Sequence, residues 1–137
     1  MGLDVTVAFG HSLDPANTSA VLIPAAVSAA KAADIAVVFL GLCADNCATR
    51  VENEGDDRFF LTRPGAQEQL LEAVYAANPR VVLVLIVHGG AIAIEWASRN
   101  RPAILDAHYP GELGGVAVVN TLLGLNNPGG KLAQTVF

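Results

Sequence analysis

Four carboxylates and one arginine lie close together near the middle of the chain, in the order Glu52-Asn53-Glu54-Gly55-Asp56-Asp57-Arg58. Carboxylates held near one another shift each other's pKa apart, so one of them can stay protonated near neutral pH and act as a general acid. The same composition is typical of a solvated acidic loop, in which an exposed ion pair contributes only ~0–1 kcal/mol. The residues alone therefore indicate either a catalytic loop or an acidic surface loop.

The acidic segment follows a strongly apolar stretch that reads as a buried strand. Residues 35–42 are almost entirely aliphatic or aromatic, and the polar cluster comes soon after them. The cluster is therefore predicted to lie in the loop at the carboxyl end of a strand. In open α/β sheets, ligands bind at that edge.

Apolar periodicity along the rest of the chain alternates between strand and helix. Strands alternating with helices predict right-handed crossovers and an α/β fold, a three-layer sandwich with a mainly parallel sheet. The length predicts one domain over residues 1–137. The predicted strands are 5–9, 35–42, 81–87 and 102–107, and the predicted helices are 20–33, 65–77, 92–100 and 113–123.

Charge and hydropathy exclude several classes of partner. The net charge of −5 argues against nucleic-acid binding. The longest apolar run, residues 81–87, is too short to cross a bilayer. Residues 1–4 do not resemble a signal peptide, and the sequence does not identify a cellular compartment. Strand-like segments at both ends of the chain predict a neighbour that covers the sheet edges, either more chain, another domain or another subunit.

Other polar residues have competing interpretations. Cys43 and Cys47 do not complete a zinc site, so we expect no metal, while a disulfide and two free thiols are equally compatible with their spacing. His88 ends the predicted strand 81–87 and either faces the site or is a hydrogen-bonded strand-end residue; His108 is expected to be structural. Gly89-Gly90 is compatible with phosphate binding at a helix N-terminus, but no Gly-x-Gly-x-x-Gly or Walker pattern supports it. Trp96 is expected in the core rather than against a sugar.

Five segments, in order, resemble glycoside hydrolase family 3, and specifically its C-terminal α/β sandwich domain, of which the resemblance implies an incomplete copy with a shortened N-terminal part and without the catalytic barrel. Together they span roughly residues 33–137, and their pattern is closer to the β-xylosidase branch than to the β-glucosidases. The segments are Glu52-Asn53-Glu54-Gly55-Asp56-Asp57-Arg58, Leu61-Thr62-Arg63-Pro64-Gly65-Ala66-Gln67, Val81 to Gly90, Tyr109-Pro110-Gly111-Glu112-Leu113-Gly114-Gly115 and Asn127-Pro128-Gly129-Gly130-Lys131-Leu132.

The resemblance implies specific roles. Family members are retaining β-glycosidases, in many of which a TIM-like barrel supplies an aspartate nucleophile and the sandwich domain supplies the acid/base. Glu52 aligns with that acid/base, and Glu54 is its close rival. Asp57 and Arg58 match the family's Asp-Arg pair and are expected to support the loop. The family usually has a different residue at position 88, and His88 is a candidate for substrate binding or loop support from its place at the strand end alone. No cofactor is implied, and family members are often secreted.

The chemistry needs more than this loop. A retaining glycosidase uses two carboxyl groups about 5 Å apart that flank the anomeric carbon. Glu52 and Glu54 lie on one short segment and cannot flank a sugar ring, so the nucleophile must come from a barrel in cis or in trans. The expected partners are therefore a β-linked glycoside or oligosaccharide and a barrel domain, and activity of the chain alone is not expected. Two alternatives remain: a non-catalytic carbohydrate-binding remnant, and a flavodoxin-like module that binds a phosphate or nucleotide.

Overall fold

The chain folds around a three-stranded parallel sheet in the order β1-β2-β3. The structure is a computed structural model that describes residues 2–11, 20–42, 58–100 and 102–132. No helix in these ranges is long and apolar enough to cross a membrane. The predicted α/β class with a mainly parallel sheet is confirmed. The strands are β1 (Ala36–Gly41), β2 (Val81–Ile86) and β3 (Ala103–His108), and the helices in the described ranges are α1 (Ile23–Ala32), α2 (Gln67–Ala77), α3 (Glu95–Asn100) and α4 (Gly114–Leu122).

The core lies between one face of the sheet and the helices α1 and α2. Val38 of β1 is in register with Leu83 of β2, and alternate residues of a strand point to the same face. These side chains join Leu71 and Val74 of α2 in one buried cluster, to which Ile23 and Ala30 of α1 also belong. The continuous apolar run of β2 forms the central strand, paired with β1 and β3 on its two edges, and Val81, Leu83, Val84 and Leu85 are buried.

A single side chain connects the end of α1 with the turn between α2 and β2. Asn78 is the C-cap residue of α2, as the Asn-Pro dipeptide predicts. Its Nδ2 donates to the carbonyl oxygens of Ala30, at 3.0 Å, and Ala33, at 2.9 Å. Because the last carbonyls of a helix lack intrahelical partners, this buried amide satisfies groups that would otherwise be unpaired.

Two sequence predictions of secondary structure are corrected by the fold. Residues 5–9 form no strand, and Val5, Val7 and Phe9 are 72–80% exposed. Their alternating pattern was sufficient for the prediction, but a strand also needs a paired neighbour, and none is present among the described residues. Helix α3 begins at Glu95 rather than at residue 92, because the backbone before it bonds to another loop: the Ala93 N–H donates to the Leu61 carbonyl at 2.8 Å. The strand-like residues 135–137 lie outside the described ranges.

Candidate functional site

The carboxyl ends of β1 and β2 lie side by side, with Gly41 in register with Ile86. The segment that was predicted to carry the chemistry leaves this edge after Leu42. Glu52, Glu54 and Asp57, with Cys43 and Cys47, belong to residues 43–57 and lie outside the described ranges. Their predicted roles stay predictions. The described part of the site is the set of residues that contact the chain just before and just after that segment.

The start of the segment is held by a buried glutamine. Gln67, the first residue of α2, is fully buried. Its Nε2 donates to the Gly41 carbonyl at 2.8 Å, and its Oε1 accepts from the Gly41 N–H at 2.9 Å. A side chain at position 41 would collide with the carbonyl oxygen of Ile86, so a glycine is required there. The direction in which the chain leaves β1 is therefore set by α2 and β2 together.

We predict that Gln67→Leu lowers the free energy of unfolding by about 2–4 kcal/mol, because it leaves the buried N–H and carbonyl of Gly41 without partners. Urea denaturation measures the loss. The matched control is Gln69→Leu, an exposed glutamine of the same helix, for which a change within about 0.5 kcal/mol is expected. Equal effects of the two substitutions would contradict the role assigned to Gln67.

The end of the segment is held against the loop that follows β2. Arg58, the first described residue after the segment, donates from Nη2 to the carbonyl oxygen of Ala91. Arg63 donates from Nη1 to the Ala93 carbonyl at 3.2 Å. Both ends of residues 43–57 are thus held at the same edge of the sheet. The contact of Arg58 supports its predicted part in supporting the loop, which stays a prediction.

Arg63 is a buried cation beside this loop. Its side chain is fully buried and forms an ion pair with Glu68. Burial lowers the pKa of the Arg63 guanidinium below its usual value, and the charge of Glu95 opposes that shift. The three side chains line a cavity of about 150 Å³ together with Thr62 and Ala93. The carboxylates of Glu68 and Glu95 offset the free-energy cost of burying the charge of Arg63. Because Arg63 also bonds to the Ala93 carbonyl, it is part of the support of the loop.

A second polar cluster lies where β2 and β3 end. His88 is buried, with Nε2 at 2.8 Å from Oδ1 of Asp106 and Nδ1 at 3.0 Å from the Gly90 carbonyl. His108 Nε2 lies 3.5 Å from Oδ2 of the same carboxylate. His88 and Arg58 thus bond to consecutive carbonyls, those of Gly90 and Ala91, so the structure brings these two predicted residues together.

The sequence predictions did not include Asp106, and they gave His108 a structural role only. The available signal was Asp106 itself, a charged residue in the mostly apolar strand β3 (Ala103–His108). This strand lies beside β2, the strand that comes just before His88. Because β2 and β3 are parallel, their carboxyl ends meet at one edge, and residues far apart in sequence come together there.

Two other sequence candidates have structural surroundings. Gly89 and Gly90 do not begin a helix, since α3 starts at Glu95, so the arrangement that holds a phosphate at a helix N-terminus is not formed there. Trp96 is partly buried against the core, as expected, with its ring edge-on to Tyr75 at a centroid distance of 5.2 Å.

The fold and the position of the polar residues define the class of domain: an α/β unit whose candidate site lies at the carboxyl ends of parallel strands. The sequence matches the family model of the glycosyl hydrolase family 3 C-terminal domain over residues 7–137. The chain belongs to glycosyl hydrolase family 3, as the five sequence segments indicated.

Relatives with assigned activities are identical to this chain at somewhat more than a third of the aligned positions. An exo-α-(1→6)-L-arabinopyranosidase of Bifidobacterium longum is 38% identical over 98% of this chain and 17% of the relative. A β-xylosidase of Formosa agariphila is 35% identical over 98% of this chain and 18% of the relative. The crystal structure of a family 3 β-glucosidase from Bifidobacterium adolescentis superimposes with a TM-score of 0.85 at 38% identity, covering 97% of this chain and 19% of that chain. The chain thus spans less than a fifth of the length of these relatives.

Proposed function

We propose that this chain is the acid/base-bearing domain of a retaining glycosidase that cleaves O-glycosyl bonds. Glu52 is the acid/base, Glu54 its nearest rival, and the nucleophile comes from a barrel domain in cis or in trans. The family supports the reaction class, since its members among the relatives are glycosidases. The assignment of roles to residues of this chain is the proposal.

The observation that carries the proposal is that the structure holds both ends of residues 43–57 at one edge of the sheet. Gln67 holds the backbone of Gly41 before the segment, and Arg58 bonds to Ala91 after it. A catalytic group must be kept near the geometry that the reaction needs, and rigid elements do this better than free loops. A solvated acidic loop needs neither a buried glutamine before it nor a half-buried arginine bonded to a neighbouring loop after it.

The proposed reaction divides between two carboxyl groups. Glu52 protonates the glycosidic oxygen as it leaves, and the nucleophile of the barrel forms the glycosyl–enzyme bond. Glu52, now a carboxylate, then removes a proton from the water that attacks the anomeric carbon, so the configuration is retained. Asp57 and Arg58 support the loop. His88 supports the chain after β2 at the same edge of the sheet, through its contact with the Gly90 carbonyl.

The proposed substrates are pyranosides with an equatorial glycosidic bond. The relatives are named for β-xylosides, β-glucosides and α-L-arabinopyranosides. In all three the bond at the anomeric carbon is equatorial, although the xylosides and glucosides are called β and the arabinopyranosides α. We propose β-xylosides first, on the pattern of the sequence segments, and the other two as competing substrates.

The test is release of nitrophenol from aryl β-D-xyloside, β-D-glucoside and α-L-arabinopyranoside by the purified chain, alone and with a family 3 barrel supplied in trans or fused to it. Hydrolysis is expected only when the barrel is present. Hydrolysis by the chain alone would contradict the need for an external nucleophile. Sugar binding without hydrolysis, even with the barrel, would instead support a carbohydrate-binding remnant.

A further inference from the structure

We infer that His88, Asp106 and His108 form a binding site for a divalent transition-metal ion of the zinc class. One ligand atom from each residue lies within 4.8 Å of those of the other two. Two imidazole nitrogens and one carboxylate oxygen are a donor set that zinc and its neighbours in the first transition row bind well. None of the three residues is the proposed acid/base Glu52, so the metal site does not depend on that assignment.

The hydrogen-bonding surroundings of His88 are compatible with a bound metal ion. Both ring nitrogens face acceptors: Nδ1 lies 3.0 Å from the Gly90 carbonyl and Nε2 lies 2.8 Å from a carboxylate oxygen of Asp106. A neutral imidazole carries one N–H, so either tautomer turns a nitrogen lone pair toward an acceptor oxygen. With only 2% of the residue exposed, water has little access to relieve that contact. A metal ion bound at Nε2 and shared with the carboxylate removes it.

The rest of the cluster supplies the other ligands. Asp106 turns its second oxygen toward His108, whose Nε2 lies 3.5 Å away, and the two histidine rings are 4.5 Å apart between centroids. The His108 backbone N–H also donates to Oδ1 of Asp106 at 3.2 Å, so this carboxylate lies beside both histidines. A metal ion uses all three residues, and the Nδ1–H bond to Gly90 is the outer contact that commonly fixes the tautomer of a metal-binding histidine.

The backbone at this edge is held in a conformation that the cluster explains. Val87 and His108 have φ of 54° and 48°, in the left-handed region that β-branched residues rarely adopt. The Val87 N–H donates to the His108 carbonyl at 2.6 Å, and the register of β2 and β3 shifts there. This irregularity turns His88 and His108 toward the same carboxylate. Asp106 and His108 are partly exposed, so a metal ion has a path from solvent and an open position for water.

The sequence led us to expect no metal because Cys43 and Cys47 lacked further ligands nearby. The three ligands inferred here come from the ends of two different strands, and only the parallel register brings them together. The site also differs from an acidic cation site, because two of its three donors are nitrogen atoms. Such a site should prefer zinc to magnesium, which favours oxygen ligands.

The experiment is metal uptake by the whole chain after treatment with a chelator. Equilibrium dialysis against micromolar Zn²⁺ is expected to give one ion per chain and a higher melting temperature, whereas Mg²⁺ at the same concentration leaves the melting temperature unchanged. Asp106→Asn and His108→Asn are each expected to weaken zinc binding by more than about tenfold. Asparagine tolerates the left-handed backbone at position 108, so the second variant keeps the fold, which circular dichroism checks. His11→Asn is the matched control and keeps full affinity.

Cys43 and Cys47 are also able to bind zinc, so the titration is repeated with both replaced by serine. Unchanged affinity in the serine variant, together with loss in the Asp106 and His108 variants, supports the site. Zinc binding that disappears with the cysteines and survives Asp106→Asn would overturn it. So would a chain that takes up no zinc and melts at the same temperature with and without chelator.

Discussion

Glu52→Gln, in a form of the enzyme complemented by a barrel, is expected to lower kcat/KM on glycosides with poor leaving groups by about 10²–10⁴, the usual contribution of a general acid. A dinitrophenyl glycoside should lose much less in the glycosylation step, because its leaving group departs without protonation. This dependence on the leaving group separates a proton donor from a residue that only positions the loop. The ratio of the two rate losses is the quantity to measure.

Glu54→Gln is the matched control for that experiment, since it removes the same charge two residues away. We expect its effect to be small and equal for the two kinds of substrate. If the dependence on the leaving group follows Glu54 instead, Glu54 is the acid/base and the proposed alignment is shifted by two residues. If neither substitution shows it, residues 51–58 do not supply the acid.

Leu71→Ala is expected to lower the free energy of unfolding by about 2–5 kcal/mol, because it removes a large side chain from the centre of the core. Leu71 is completely buried, in the same cluster as Leu83 of β2. A domain is stabilised by only about 5–15 kcal/mol in total, so the variant should unfold at a markedly lower urea concentration. The single tryptophan, Trp96, packs against the core and reports the transition by fluorescence.

Leu125→Ala controls for the loss of a leucine as such, because Leu125 is 71% exposed outside the helices. We expect it to change the free energy of unfolding by less than about 0.5 kcal/mol. A loss as large as that of Leu71→Ala would mean that the buried cluster between the sheet and α2 is not the stabilising core.

The parts of the fold that the sequence predicted are those with strong local patterns. The β-branched run at 81–87 and the helical spacing of Leu70, Leu71 and Val74 each identify an element and the face it buries. Residues 5–9 carry an equally regular pattern and form no strand, because pairing depends on a neighbour that local sequence does not reveal. Helix α3 starts late for a similar reason, since Ala93 bonds to Leu61.

The supports of the candidate site were less predictable than its position. The Pro-Gly-x-Gln pattern placed Gln67 at a helix start, but its two hydrogen bonds join it to Gly41, 26 residues away. The contact of His88 with Asp106 spans 18 residues and depends on the parallel register of β2 and β3. Both are long-range contacts that arise only when strand ends meet at one edge of the sheet.

The most direct test of the central claim is azide rescue of Glu52→Gln in the barrel-complemented enzyme, with a dinitrophenyl β-xyloside as substrate. Azide is already an anion and attacks the glycosyl–enzyme bond without a general base. If Glu52 is the acid/base of a retaining glycosidase, azide should restore turnover and yield the β-glycosyl azide. Failure of azide to restore turnover, or rescue of Glu54→Gln in its place, would contradict the assignment.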